Sequence, residues 1–404
     1  LLLRCLVLLL IAQIHAFAAV PERTRRLLAE ASEPVRVVCI GDSITGVYYH
    51  SGSVRAYPEM LGIALQKLHS KAQITVRNAG ISGDTSRGGL ARLERDVLVH
   101  KPHLVTVMFG MNDLVSTPVG DFVTNMRQIV HRCREAGAEV VLCTQNSIVE
   151  SPTRSCSKLA EFTEAIRQLA KSEKLGLADC HAAFEAVRSK DAFEWSMLLS
   201  DAIHPNMDGH KLFAETIAKV VTGNSVSLRD EPPPRLAMAH TLKLLAEHKP
   251  VQVFAMPPYD QHIATVLKQR HPDAEVHVKP WPVEDLTLAN LENAAKAVRT
   301  MKPDLVIIAV PGSLSEKRRE DFHQHYSWVM NWSLSFGPQA WDVIVAPPST
   351  AKPNLTAAEL EHEAFARRLI KAQDLSMIVR TEGDTWPLEQ VLAKWVDQQA
   401  KAAN

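Results

Sequence analysis

The chain carries no excess of charge of either sign. Its 404 residues hold 45 Lys and Arg against 45 Asp and Glu, so nothing in the net charge calls for nucleic acid or an anionic membrane as partner. It also lacks a long apolar run: none reaches the roughly 18 residues a membrane span requires. Six cysteines, none closely spaced with another, exclude a zinc knuckle and argue against a disulfide framework. Nor is there a Gly-x-Gly-x-x-Gly or a Lys-Ser/Thr ending to the glycines at Gly80, Gly83, Gly88 and Gly89, so a nucleotide-phosphate loop is not indicated. Gly-x-Ser-x-Gly is absent too, because Thr45 stands where that elbow needs glycine. No cofactor and no metal are expected. His323 and His325 fall in a helical pattern that turns them apart.

What the chain has is ordinary globular composition, 46% hydrophobic, at a length sufficient for two cores. Arg4, the apolar stretch Leu6 to Ala12 and the small-x-small site at Ala16-Phe17-Ala18 predict a cleavable signal over residues 1–19, hence a secreted or periplasmic protein with no stable membrane anchor. Five cysteines remain beyond it. Cys39 and Cys143 lie in apolar runs as small hydrophobes, and a pairing of Cys156 with Cys180 is left open.

From residue 35 short apolar runs alternate with amphipathic stretches. Strands are expected at 35–40, 73–79, 104–110, 139–144 and 175–180, with helices at 57–68, 86–100, 122–136, 158–174 and 207–221. Near-continuous Val and Leu runs suit strands covered on both faces, so the alternation implies a parallel sheet between helical layers. The pattern stops near Pro232-Pro233-Pro234. It resumes after a helix at 236–248, with strands at 251–256, 275–279, 305–310, 342–346 and 376–380. We therefore divide the chain into a first α/β domain (33–223), a linker with a connecting helix (224–249) and a second α/β domain (250–400). Lys302-Pro303-Asp304-Leu305-Val306 echoes Lys101-Pro102-His103-Leu104-Val105, and the element order is the same, so the second domain reads as a degenerate copy of the first.

In open parallel sheets, ligands bind beyond the carboxyl ends of the strands. There the first domain places Gly41-Asp42-Ser43-Ile44, Ser82-Gly83-Asp84-Thr85, Gly110-Met111-Asn112-Asp113 and Asp201-Ala202-Ile203-His204. A serine hydroxyl needs a base, the base a carboxylate to orient it, and the tetrahedral intermediate needs hydrogen-bond donors. Ser43, His204 and Asp201 can supply the first three. Gly83 and Ser43 through their amides and Asn112 through its side chain can supply the donors. Singly, each block has a plainer reading: Ser43 as a helix cap, Asn112 as a turn residue, Asp201 as part of a solvated loop. Four blocks in order on the right elements decide for chemistry. Asp42 and Asp84 are read as structural, bonding loop backbone.

These four blocks resemble the signature of the SGNH (GDSL-type) hydrolases. The resemblance covers 35–221, about half the chain, and departs from many members only in Ile44 after the serine. It implies a flavodoxin-like three-layer α/β/α fold, Ser43 as nucleophile, Gly83 and Asn112 in the oxyanion hole, and Asp201 with His204 completing a triad. The expected activity is hydrolysis of an acyl ester, of short chain such as acetyl, on a small molecule or polysaccharide. Lysophospholipase or thioesterase activity, or a silent glycan-binding or scaffolding protein, stand as alternatives. The second domain has Pro257-Pro258-Tyr259 at the nucleophile position and Pro311-Gly312-Ser313 in place of the Asn block, and is expected to be inactive. It also holds six of the seven tryptophans, Trp281, Trp328, Trp332, Trp341, Trp386 and Trp395, as core residues or a glycan platform. Oligomeric state leaves no signal.

Overall fold

A computed structural model describes residues 20–403 apart from 235, 283–285, 315–317 and 382; the expected signal segment lies outside the described residues. Among the described residues, ten strands form two parallel five-stranded sheets. The first contains β1 (Val35–Gly41), β2 (Ile74–Gly80), β3 (Leu104–Met108), β4 (Glu139–Cys143) and β5 (Gly176–Ala178), in the order β2-β1-β3-β4-β5. The second contains β6 (Val251–Ala255), β7 (Val276–Pro280), β8 (Leu305–Ile308), β9 (Asp342–Val345) and β10 (Ser376–Met377), in the order β7-β6-β8-β9-β10. Both follow the flavodoxin order 2-1-3-4-5.

The strands form where Val, Ile and Leu run nearly unbroken, and every residue of β3, β8 and β9 is buried. In the first domain, helices Tyr57–Leu68 and Met207–Thr222 pack together, and Ser86–Asp96, Val119–Glu135 and Cys156–Ser172 form a second group. One group covers each face, giving three layers. The expected helix 86–100 is interrupted at Val97, whose φ of −125° and ψ of −63° leave the helical region before a short 3₁₀ turn, Leu98–His100. The cysteines Cys39, Cys133, Cys143, Cys156 and Cys180 are all free, so Cys156 and Cys180 are not joined.

The register decides where the loops converge. Gly41 at the end of β1 pairs with Gly80 of β2 and Met108 of β3, so three strands finish level. The two glycines permit the loops to crowd there. A Cβ on Gly41 would lie 2.5 Å from the Met108 carbonyl oxygen, and one on Gly80 2.2 Å from the Gly46 amide nitrogen.

Each sheet has its own apolar core, and polar bonds join the two halves. Arg55 reaches both carboxylate oxygens of Asp374, at 2.6 and 2.8 Å. Ser200 Oγ donates to Asn331 Oδ1 (3.0 Å) and accepts from Gln373 Nε2 (2.9 Å), while Asn331 Nδ2 donates to the Ser200 carbonyl (3.1 Å). Arg368 pairs with Glu194. Because the Asp374 side chain is only 1% exposed, Arg55→Ala strands a buried carboxylate. Urea unfolding should show a loss of about 3 kcal/mol, and Arg55→Ala with Asp374→Ala together should lose less than Arg55→Ala alone.

Candidate active site

Ser43 stands in a turn that its neighbour holds. Asp42 Oδ1 accepts from the Ile44 amide (2.9 Å), and the Asp42 carbonyl accepts from the amides of Thr45 and Gly46. Burial lifts the Asp42 carboxyl to about 7, with the Ile44 amide and His204 pulling the other way. A buried carboxyl tied to backbone is a structural group, as expected.

Ser43 Oγ lies 2.9 Å from His204 Nε2, and His204 Nδ1 lies 2.8 Å from Asp201 Oδ2. The network fixes the proton positions: an ionised Asp201 accepts from Nδ1–H, which leaves Nε2 free to accept from the serine. Asp201 Oδ1 meanwhile accepts from the amides of Ile203 (2.9 Å) and His204 (2.8 Å). Burial acts to raise the Asp201 carboxyl, but the imidazole and these amides outweigh it and hold the group well below the usual carboxylate range.

The donors lie on neighbouring loops. Gly83 adopts φ +76°, a conformation open to glycine at little cost. Among the described residues, neither its amide nor that of Ser43 has an acceptor in the protein. Asn112 Nδ2 donates to the Asp84 carbonyl (2.9 Å), which ties it to the Gly83 loop and leaves its second N–H available. Arg154 donates to Asn112 Oδ1 (3.1 Å) and to the Met111 carbonyl (3.1 Å), so the amide is held in one orientation. Arg92 binds Asp84 Oδ2 (2.7 Å) and the carbonyls of Ala79 (2.7 Å) and Gly41 (2.9 Å), clamping the ends of β1 and β2. Asp84 is thus structural too, and Asp113 serves the backbone and hydroxyl of Ser86. All five expected residues meet at one edge.

Other groups at the site were not apparent from the sequence. Tyr49 OH donates to Asp201 Oδ2 at 2.9 Å, the oxygen that also receives His204. His50, fully buried, stacks on His204 with centroids 4.4 Å apart and planes 8° from parallel. Behind it, His210 Nδ1 accepts from the Tyr57 amide (3.1 Å), so His210 carries its proton on Nε2, which faces His50 Nδ1 at 3.4 Å. Burial, together with the charge His204 would carry, holds His50 well below the ordinary histidine value and His210 down to about 3. The base therefore rests on a neutral, flat ring. His50→Ala removes that floor and is expected to lower kcat by about 10²-fold, the order associated with a 1 Å misplacement; His50→Phe should retain most of the rate in the same assay. The run Tyr48-Tyr49-His50 was the available signal, but only tertiary packing gives it meaning.

Fold and site together put the chain among the carboxylic ester hydrolases. The GDSL-like lipase/acylhydrolase family model matches residues 39–212, a span that includes all five residues, and the chain belongs to that family. Its similar proteins include Thioesterase 1/protease 1/lysophospholipase L1 of Escherichia coli strain K12, 33% identical over 185 residues, covering 45% of this chain and 81% of that protein. An arylesterase of Vibrio mimicus is 29% identical over 193 residues, covering 47% and 89%. An acetylxylan esterase of Geobacillus stearothermophilus is 26% identical over 174 residues, covering 39% and 76%.

Proposed function

We propose that the protein hydrolyses a short-chain acyl ester, such as an acetyl ester of a carbohydrate, through an acyl-Ser43 intermediate, and that it acts outside the cytoplasm. The observation that carries the mechanism is the line Ser43 Oγ–His204–Asp201, at 2.9 and 2.8 Å. Ser43 Oγ attacks the carbonyl carbon as His204 Nε2 takes its proton. The negative oxygen of the tetrahedral intermediate is held by the amides of Ser43 and Gly83 and by Asn112 Nδ2. Collapse breaks the ester bond, and His204 returns the proton to the departing alcohol. Water then attacks the acyl-serine while His204 takes a proton from it, releasing the carboxylic acid and restoring the serine.

The name of the Geobacillus relative supports an acetylated sugar as substrate; the name of the Escherichia coli relative supports the second reading, a thioester or lysophospholipid. Export is supported by the apolar stretch and small-x-small site before residue 20.

A fluorophosphonate should label the full-length enzyme once, on Ser43, and His204→Ala should take up label far more slowly. Label elsewhere, or none, would refute the assignment. The pH dependence has a defined sign for Asp201. Its carboxyl is held well below the usual carboxylate range, so it keeps its charge as pH falls through the range where an ordinary carboxylate protonates. Protonation of Asp201 should therefore cost no labelling rate there; a loss of rate assigned to Asp201 with a midpoint of about 4, the ordinary carboxylate value, would contradict this.

A further inference from the structure

Among the described residues the second half carries no triad, yet it reaches the site. Its loop after helix Arg319–Ser333 brings Phe336 against the two tyrosines that follow Ser43. The Phe336 ring meets Tyr48 edge-on at 5.5 Å and lies 6.2 Å from Tyr49. Tyr49 in turn lies 6.1 Å from the His204 ring and bonds Asp201. Tyr48 OH accepts from the amide of Ser82, next to Gly83. Phe336 is therefore one ring removed from both the base and the oxyanion side of the nucleophile.

We infer that Phe336, presented by the second domain, is the binding platform for the alcohol half of the ester, and that this half is a pyranose sugar. The inference rests on the ester-hydrolase reading of the Ser43 site. Three observations carry it.

First, Phe336 is 54% exposed. Trp386, at 45%, is the other strongly exposed aromatic of the described residues, and Lys394 already covers it at 4.6 Å.

Second, the Phe336 loop is held from both sides, so the exposed ring is fixed in place. The Phe336 carbonyl accepts from the Tyr49 amide (3.2 Å), the Ser335 carbonyl accepts from Ser53 Oγ (2.8 Å), and the Gln339 amide donates to the Ser53 carbonyl (2.7 Å). Within the loop, Ser335 Oγ donates to the carbonyl of Pro338 (3.0 Å), with that of Gly337 also in reach, and accepts from the Ala340 amide (3.3 Å). Behind it the Arg299 guanidinium lies 4.7 Å from the Trp332 ring and 5.9 Å from that of Phe336. It also donates to the carbonyls of Asn331 and Leu334. An apolar ring held rigidly in water is a surface ready for a ligand, because its ordering cost is already met.

Third, the shape selects the ligand. An alkyl chain binds well in a concave apolar pocket that surrounds it. A single projecting ring instead suits a flat apolar face whose other side stays in water, as the C–H face of a pyranose does with its hydroxyls turned outward.

The test compares full-length wild type with Phe336→Ala on three acetates: an acetylated methyl xylopyranoside, phenyl acetate and ethyl acetate. The expected result is a KM for the sugar ester raised about tenfold, with ethyl acetate unchanged. Phe336→Trp should restore the sugar KM, which a merely structural role would not allow. Equal changes on the sugar ester and ethyl acetate, no change on the sugar ester, or an effect confined to phenyl acetate would each overturn the inference. So would a wild type that hydrolyses ethyl acetate but no sugar ester, and that result would leave the Ser43 mechanism standing. A wild type inactive on all three would instead strike the reading on which the inference rests. Should Phe336→Ala fail to fold, Phe336→Leu removes the flat face while keeping the apolar volume, with the same outcomes.

Discussion

Ser43→Ala is expected to keep the fold and to lower kcat on p-nitrophenyl acetate by about 10⁶-fold, the order seen when a triad nucleophile is removed. Structural loss should be small, because among the described residues the hydroxyl bonds only His204 Nε2. Thermal unfolding should therefore match wild type. Residual turnover should also be independent of acyl length. With the wild type, the series from acetate to long acyl chains separates the two substrate readings: a rate that peaks at acetate fits a deacetylase, and one that climbs with chain length fits the lysophospholipase or thioesterase reading. A loss of less than about 10²-fold would remove Ser43 from the covalent step, since even one oxyanion donor is worth that much.

Asp201→Asn is expected to lower kcat by about 10⁴-fold while leaving the loop in place. The asparagine oxygen can still accept from the amides of Ile203 and His204, which the carboxylate binds now. Its NH₂ would then face His204 Nδ1. A donor there forces the imidazole proton onto Nε2, so His204 would donate to Ser43 instead of accepting from it. Tyr49 OH loses its acceptor as well. Ground-state binding is untouched by this argument, so the loss should fall on kcat with KM little changed. A rise in KM alone would show that the loop had moved and that the carboxylate was not orienting the base.

Much of this was legible in the sequence, for physical reasons. Helix Tyr57–Leu68 was read to the residue, and β1, β3 and β9 were read closely because strands buried on both faces leave unbroken apolar runs. The edge strand β10 shrank to two residues, where an apolar run cannot show how much of it finds a partner. Three of the five site residues, Ser43, Gly83 and Asn112, sit in loops that follow strands, and the position of a loop after a parallel strand is set by topology; Asp201 and His204 lie in the loop before helix Met207–Thr222. Tyr49 and His50 were invisible because their roles depend on a ring 4.4 Å away and a carboxylate 152 residues on. The reading of tryptophans as core residues holds for Trp281, Trp341 and Trp395. Trp281 is buried against Phe254 and Trp341 is buried in the core, while the exposed ring near the site belongs to a phenylalanine.

Ser200, Asn331 and Gln373 hydrogen-bond one another across the two halves, one residue from Asp201. Neither half can close that network alone. A substitution that spoils Asn331 is then felt at the triad, though the residue is far from it in the chain. The loop that carries the base is thus tethered through Ser200 to side chains of the other half, and its placement is a property of the whole molecule.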